Sequence, residues 1–183
     1  MHVILGLFPA VQKSVYLNAG TSGPLFAGSA SRIEELARYE QTVARSGGYF
    51  LTYRTIMQET RNALALFVGA DSDEIALTHN TTEGMNIAIW GLRWSAGDEV
   101  VTTTLEHEGG LLPLYELHRR VGVKVTFANI GNGNRQDTLS EINRALRPGV
   151  KLLVLSHVAW STGAVLPMRE IVEIGRASCR ERV

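Results

Sequence analysis

Cysteine is almost missing from this sequence: Cys179 is the single one in 183 residues. That excludes a disulfide framework and leads us to expect a reducing, cytoplasmic compartment. Net charge is missing as well, since 18 basic residues balance 18 acidic ones. Nothing in that balance draws in nucleic acid or an anionic membrane, so neither is expected as a partner. No apolar run reaches the roughly 20 residues that a membrane-spanning helix needs. The opening MHVILGLFPAVQ lacks a basic start and a cleavage site, and reads as a buried or docking segment. There is no GxSxG elbow and no Walker lysine. GNGN at Gly131 lacks the third glycine of a dinucleotide fingerprint. His107-Glu108 lacks the second histidine of a zinc-protease helix, so no metal is expected.

What remains has ordinary globular composition, 45% hydrophobic and 20% charged. From Glu74 onward strands alternate with helices. Strands are expected at Glu74–Thr78, Glu99–Thr104, Lys124–Ile130 and Lys151–Val158. Helices are expected at Thr82–Leu92, Gly110–Val121 (with Pro113 in its opening turn) and Thr138–Leu146, the last begun by a Thr138–Glu141 capping box. That rhythm predicts an α/β fold, an incomplete, mostly parallel sheet with flanking helices. Before it, a strand at Val15–Asn18 and helices at Ala27–Arg45 and Leu51–Val68 form a separate N-terminal helical segment. The expected division is 1–68 for that segment, 69–173 for the α/β part and 174–183 for a tail.

The chain is organised around LTHNTTEGMNIAIWGL, Leu77 to Leu92. It reads as a polar turn followed by an apolar helix burying Met85, Ile87, Ala88, Ile89 and Trp90. A helix N-terminus offers free N–H groups and a positive dipole end, which suits a phosphate. Thr81 and Thr82 add hydroxyls at that point, although Asn80 or Thr81 could equally cap an ordinary core helix. Polar residues gather at three expected strand exits: Thr78–Thr82, Thr103–Glu108 and Ser156–Thr162. Ligands of such sheets bind at the carboxyl ends of the strands. There His107 suits a base, a ligand or a stacking face, and also a solvated loop residue. Trp160 suits a site or a core.

Four segments in order, YLNAGTSGPL, THNTTEGMN, TTTLEHEGG and LSHVAWSTGAVLP, carry a resemblance to the class V aminotransferase family of fold-type I pyridoxal-phosphate enzymes. That family includes cysteine desulfurases and isopenicillin-N-epimerase-like proteins. The run S-H-V-x-W, with Trp160, most resembles the epimerase-like branch. The resemblance implies pyridoxal 5'-phosphate as cofactor and an amino acid as substrate, with transamination, epimerisation or C–S lyase chemistry. It implies a homodimer for the intact protein. Thr81 and Thr82 would hold the cofactor phosphate, and His107 would stack on the ring. Trp160 and Ser161 would lie beside it, with Asn18, Thr21 and Ser22 on the substrate side.

The family also needs a Schiff-base lysine and an aspartate at the pyridine nitrogen, both on later segments. Lys13, Lys124 and Lys151 match no such motif, so the chain alone is expected to be inactive, with an exposed sheet edge. The last residues, IGRASCRERV, leave the pattern and read as an in-frame translation of a sequencing adapter, so native sequence is expected to end near Glu173. The alternative to an enzyme is a non-enzymatic α/β module that binds a phosphate ligand through Thr81 and Thr82.

Overall fold

The computed structural model describes residues 6–180. The chain divides into two compact units between Leu77 and Thr78. The first holds helices α1 (Ala10–Lys13), α2 (Ala27–Val43) and α3 (Tyr49–Val68) and a 3-10 turn at Ser72–Glu74. Side chains tie α2 to α3. The Tyr49 and Tyr53 hydroxyls donate to Glu40 Oε1 at 3.0 and 2.7 Å, and Tyr39 donates to Thr52 Oγ1 at 3.1 Å. Gly69 ends α3 in the left-handed conformation that favours glycine, its N–H on the Ala65 carbonyl.

Two expected strands are not there, Val15–Asn18 from the N-terminal segment and Glu74–Thr78 from the opening of the α/β part. Val15–Asn18 forms no strand, and Val15 and Leu17 are exposed. A strand needs a partner edge, and no described residue of the unit offers one. At Glu74–Thr78 the glutamate is taken by a local motif: it closes a capping box with Asp71, and the chain then runs extended without a ladder. The apolar face expected on α3 is largely uncovered within this unit, and Ala65 is its one buried residue.

The second unit is built on three parallel strands, β1 (Glu99–Thr103), β2 (Lys124–Ala128) and β3 (Val150–Leu153), in the order β2-β1-β3. Successive side chains on a strand point to opposite faces. On the central strand Val100 therefore joins one apolar cluster and Val101 another. The Val100 cluster takes Ile89 from α4 (Thr81–Trp90), and Leu114 and Leu117 from α5 (Glu108–Val121). The Val101 cluster takes Ile142 and Ala145 from α6 (Arg135–Ala145) and Ile171 from α7 (Met168–Arg180). Both faces of the sheet are thus covered, as parallel sheets require. Each fully buried leucine or isoleucine contributes about 1.5–3 kcal/mol.

Several element ends move from their expected places. Helix α6 begins at Arg135, because Asn134 caps it by accepting the Asp137 N–H at 3.0 Å, and Thr138 is buried instead of capping. Helix α5 begins at Glu108, which puts Pro113 inside the helix, buried, and not in its opening turn. β3 stops at Leu153, and the chain beyond it runs as a loop. Helix α4 buries Ile89 alone, while Ile87, Ala88 and Trp90, expected to be buried, are exposed.

Candidate functional site

Only two of the three polar stretches are strand exits. Thr78–Thr82 follows a segment that forms no strand. It nevertheless brings the N-terminus of α4 beside the exit of β1. Asn80 is the cap, its Oδ1 accepting the Glu83 N–H at 2.9 Å. The Glu83 carboxylate turns back to accept the His79 N–H at 2.6 Å and faces His79 Nδ1 at 2.9 Å. Those contacts, the backbone one foremost, hold its pKa below the usual carboxylate range. With Glu83 satisfied, the N–H groups of Thr81 and Thr82 have no acceptor among the described residues. Both threonines are exposed.

A second helix begins at the same place. His107 caps α5, and its Nδ1 accepts the Gly109 N–H at 3.0 Å. That donor fixes the ring and leaves Nδ1 as the unprotonated nitrogen of the neutral imidazole, with the proton on Nε2. A Cβ on Gly109 would stand 2.7 Å from Thr82 Oγ1 and 3.3 Å from His107 Nδ1. Glycine at 109 is what lets the Thr82 hydroxyl reach the start of α5. Two positive helix ends, two free amides and a hydroxyl therefore converge.

The exit of β3 supplies the other wall. Val158 and Val165 form an antiparallel bridge, Ala159 N–H donates to the Ala164 carbonyl at 2.9 Å, and Gly163 turns at φ 71°. Trp160 and Ser161 sit at the tip of this small turn, exposed, so Trp160 is not core. Its ring meets His107 edge-on, with centroids 5.2 Å apart at 90°. Asn18, Thr21 and Ser22 lie in the first unit. There the Thr21 and Ser22 N–H groups both donate to the Asn18 carbonyl at 3.2 Å, and all three residues are exposed. The structure thus brings together Thr81, Thr82, His107 and Trp160, with Ser161 adjoining.

Sequence reasoning missed Glu106, which is buried. Its Oε1 accepts the His107 N–H at 2.8 Å and the Ser156 hydroxyl at 2.6 Å, and its Oε2 accepts the Ser156 N–H at 2.6 Å. The available signal was an acidic residue set between a strand and a glycine pair. Sequence reasoning also gave GNGN no role. Gly133, at φ 80°, passes so close beneath the Trp160 turn that a Cβ there would sit 2.7 Å from the Ala164 Cβ.

The lysines stand elsewhere. Lys124 and Lys151 lie at the starts of β2 and β3, at the end of the sheet opposite the exits. Lys151 Nζ is held by Asp98 Oδ2 at 2.7 Å and by the Arg93 carbonyl. Lys13 lies in the first unit. No trio of His, Cys, Asp or Glu among the described residues is placed to hold a metal. The arrangement leaves two free amides, a hydroxyl and two positive helix ends open to an anion, beside the rings of His107 and Trp160.

The aminotransferase class-V family model matches residues 15–180. A probable cysteine desulfurase of Methanothermobacter thermautotrophicus is 32% identical over 170 residues, 92% of this chain and 41% of that protein. Another from Mycobacterium leprae is 32% identical over 151 residues, 74% of this chain and 35% of that protein. Among solved structures, the cystine C–S lyase C-DES with its product cysteine persulfide superposes with a TM-score of 0.86 at 30% identity, covering 92% of this chain and 45% of C-DES. A C-DES variant carries glycine covalently linked to its pyridoxal-phosphate cofactor, with a TM-score of 0.87 and coverage of 98% and 46%. The chain thus spans less than half the length of each of these relatives. The names they carry are those of desulfurases and a C–S lyase, whereas the Trp160 run had pointed to the epimerase-like branch.

Proposed function

Because this chain belongs to the class-V aminotransferase family, we propose that it carries the phosphate- and ring-binding part of a pyridoxal-phosphate enzyme that cleaves the C–S bond of a cysteine-like amino acid. One observation carries the reading: the N–H groups of Thr81 and Thr82 are unbonded, and the Thr82 hydroxyl lies against Gly109 at a helix start capped by an exposed histidine.

The residues present fit the cofactor. Thr81 and Thr82 bind its phosphate through backbone N–H groups and the Thr82 hydroxyl, where two helix ends favour negative charge. His107, its ring held by the Gly109 N–H on Nδ1, would stack on the cofactor's ring. Trp160, edge-on to His107, would cover the ring's edge, and Ser161 would offer a hydroxyl beside it. When bound, the cofactor supplies an electron sink for charge that develops on the substrate's α-carbon. Asn18, Thr21 and Ser22 are assigned to the substrate side on the strength of the family resemblance. The covalent lysine and the ring-nitrogen aspartate are assigned to other parts of the whole protein, since Lys124 and Lys151 lie across the sheet from the site. A cytoplasmic homodimer completes the reading. Its supports are the single cysteine, the exposed Ile87, Trp90 and Leu112, and the lack of a described helix long and apolar enough to cross a membrane.

The test compares 4'-deoxypyridoxine 5'-phosphate, which has no aldehyde and needs no lysine, with 4'-deoxypyridoxine, which also lacks the phosphate. Tryptophan fluorescence of the chain should be quenched by the first at a far lower concentration than by the second, and Thr82→Ala should narrow the difference. Equal affinity for the two compounds would refute the reading.

A further inference from the structure

The geometry points to Glu106 as a positioning residue, whose carboxylate sets the spacing between the ring-facing groups His107 and Trp160. This rests on the cofactor reading above and goes beyond it, since Glu106 touches neither phosphate nor ring. Three donors converge on a buried carboxylate. Two of them, the Ser156 N–H and hydroxyl, come from a residue fifty positions away in sequence. The third is the His107 N–H. A buried carboxylate must be bonded at both oxygens to be tolerated, and here it is. One group therefore joins the loop after β1, which carries His107, to the loop after β3, which carries Trp160.

The glycine pair after His107 has a matching division of labour. A Cβ on Gly109 would press the Thr82 hydroxyl. A Cβ on Gly110 would stand 3.2 Å from Glu106 Cγ and 3.4 Å from its carboxyl carbon. Gly109 thus makes room for the phosphate side and Gly110 for the carboxylate bridge.

Glutamine cannot replace this carboxylate. Its amide has one acceptor oxygen, so its NH2 group must face either the Ser156 N–H or the His107 N–H, donor against donor. Glu106→Gln keeps size and burial but breaks at least one backbone link. The phosphate seat on Thr81 and Thr82 uses neither link, so the bridge should matter for the ring and not for the phosphate.

The experiment titrates the full chain, wild type and E106Q, with inorganic phosphate and with 4'-deoxypyridoxine 5'-phosphate. Amide resonances of Thr81 and Thr82 and the His107 ring resonances serve as readouts, and thermal unfolding is recorded alongside. The expected result is about a tenfold weaker affinity for the ring-bearing probe, with inorganic phosphate binding unchanged and the His107 ring shift on binding reduced. Should E106Q not fold, Ser156→Ala removes one of the three bonds, and the same split is expected at about threefold. Loss of both affinities in parallel, or of neither, overturns the inference. If wild type binds phosphate but gains nothing from the ring, the ring contacts assigned to His107 and Trp160 fail and the inference falls with them. If wild type binds neither probe, the cofactor reading itself has failed.

Discussion

Gly109→Ala separates the stability of α5 from the binding role of its first turn. Alanine is favoured over glycine inside a helix by about 1 kcal/mol, so propensity alone predicts a more stable chain. Against that, the new Cβ arrives 2.7 Å from Thr82 Oγ1, where ordinary contact begins at 3.4 Å, and 3.3 Å from His107 Nδ1. The hydroxyl is the movable partner and can turn away at a cost of about 0.5–1.5 kcal/mol. The two effects offset, and the midpoint of thermal unfolding should stay within a few degrees of wild type. Binding should not stay put. A hydroxyl rotated away forfeits a hydrogen bond to a charged phosphate, about 1.5–3 kcal/mol, or roughly tenfold to a hundredfold in affinity. Inorganic phosphate and 4'-deoxypyridoxine 5'-phosphate should weaken together, in contrast to E106Q. Circular dichroism melts and amide-resolved titrations measure the two quantities. A variant that binds both probes at wild-type affinity would refute the placement of the Thr82 hydroxyl in the phosphate seat.

Gly133→Ala should destabilise the chain by about 2–4 kcal/mol in urea titration, because it meets both a positive φ and a Cβ only 2.7 Å from Ala164. Asn80→Ala should cost about 1 kcal/mol through loss of the α4 cap, while Asn80→Asp should retain most of it. Leu117→Ala, at a fully buried position, should cost about 2–5 kcal/mol in the same assay. The pKa of Asp98 is held below its usual value, first by the Lys151 hydrogen bond and then by the Ser95 N–H. Its contribution is therefore present above the unfolded carboxylate range and lost as pH falls through the depressed value. Unfolding midpoints of wild type and Asp98→Asn should differ at pH 7 and converge as the pH falls below about 4. A gap that does not change with pH would refute that assignment.

Period and punctuation made the second unit legible in the sequence. VVTTT and LLVL announce buried parallel strands, and glycine or asparagine marks most helix ends, so three strands and their helices fall close to where they were expected. Two of the misses share a cause. Glu74 and Asn134 make local side-chain bonds that compete with the regular pattern, and such bonds move a helix start or replace a strand without altering apolar spacing. Val15–Asn18 shows the other limit, because alternation cannot reveal whether an edge exists to pair with. Within the candidate site, Thr81, Thr82 and His107 could be read because helix starts and strand exits are local features. Glu106 could not, because its role depends on Ser156, fifty positions away.

The strand order has a kinetic consequence for the Glu106 bridge. β1 pairs with β2 across 25 residues of sequence, Glu99 to Lys124, but its partner on the other side, Val150, lies twice as far along. Doubling a loop adds only about 0.6 kcal/mol to its closure, so the penalty is small, yet shorter loops still close sooner. As the chain is synthesised, β1, β2 and the helix between them can associate before β3 has emerged. The hydrogen bonds from Ser156 to Glu106 then become available last, once β3 has docked. A folding chain would acquire its phosphate seat early and its ring-facing wall late, and the order in which the two probes begin to bind during refolding would report the moment the third strand arrives.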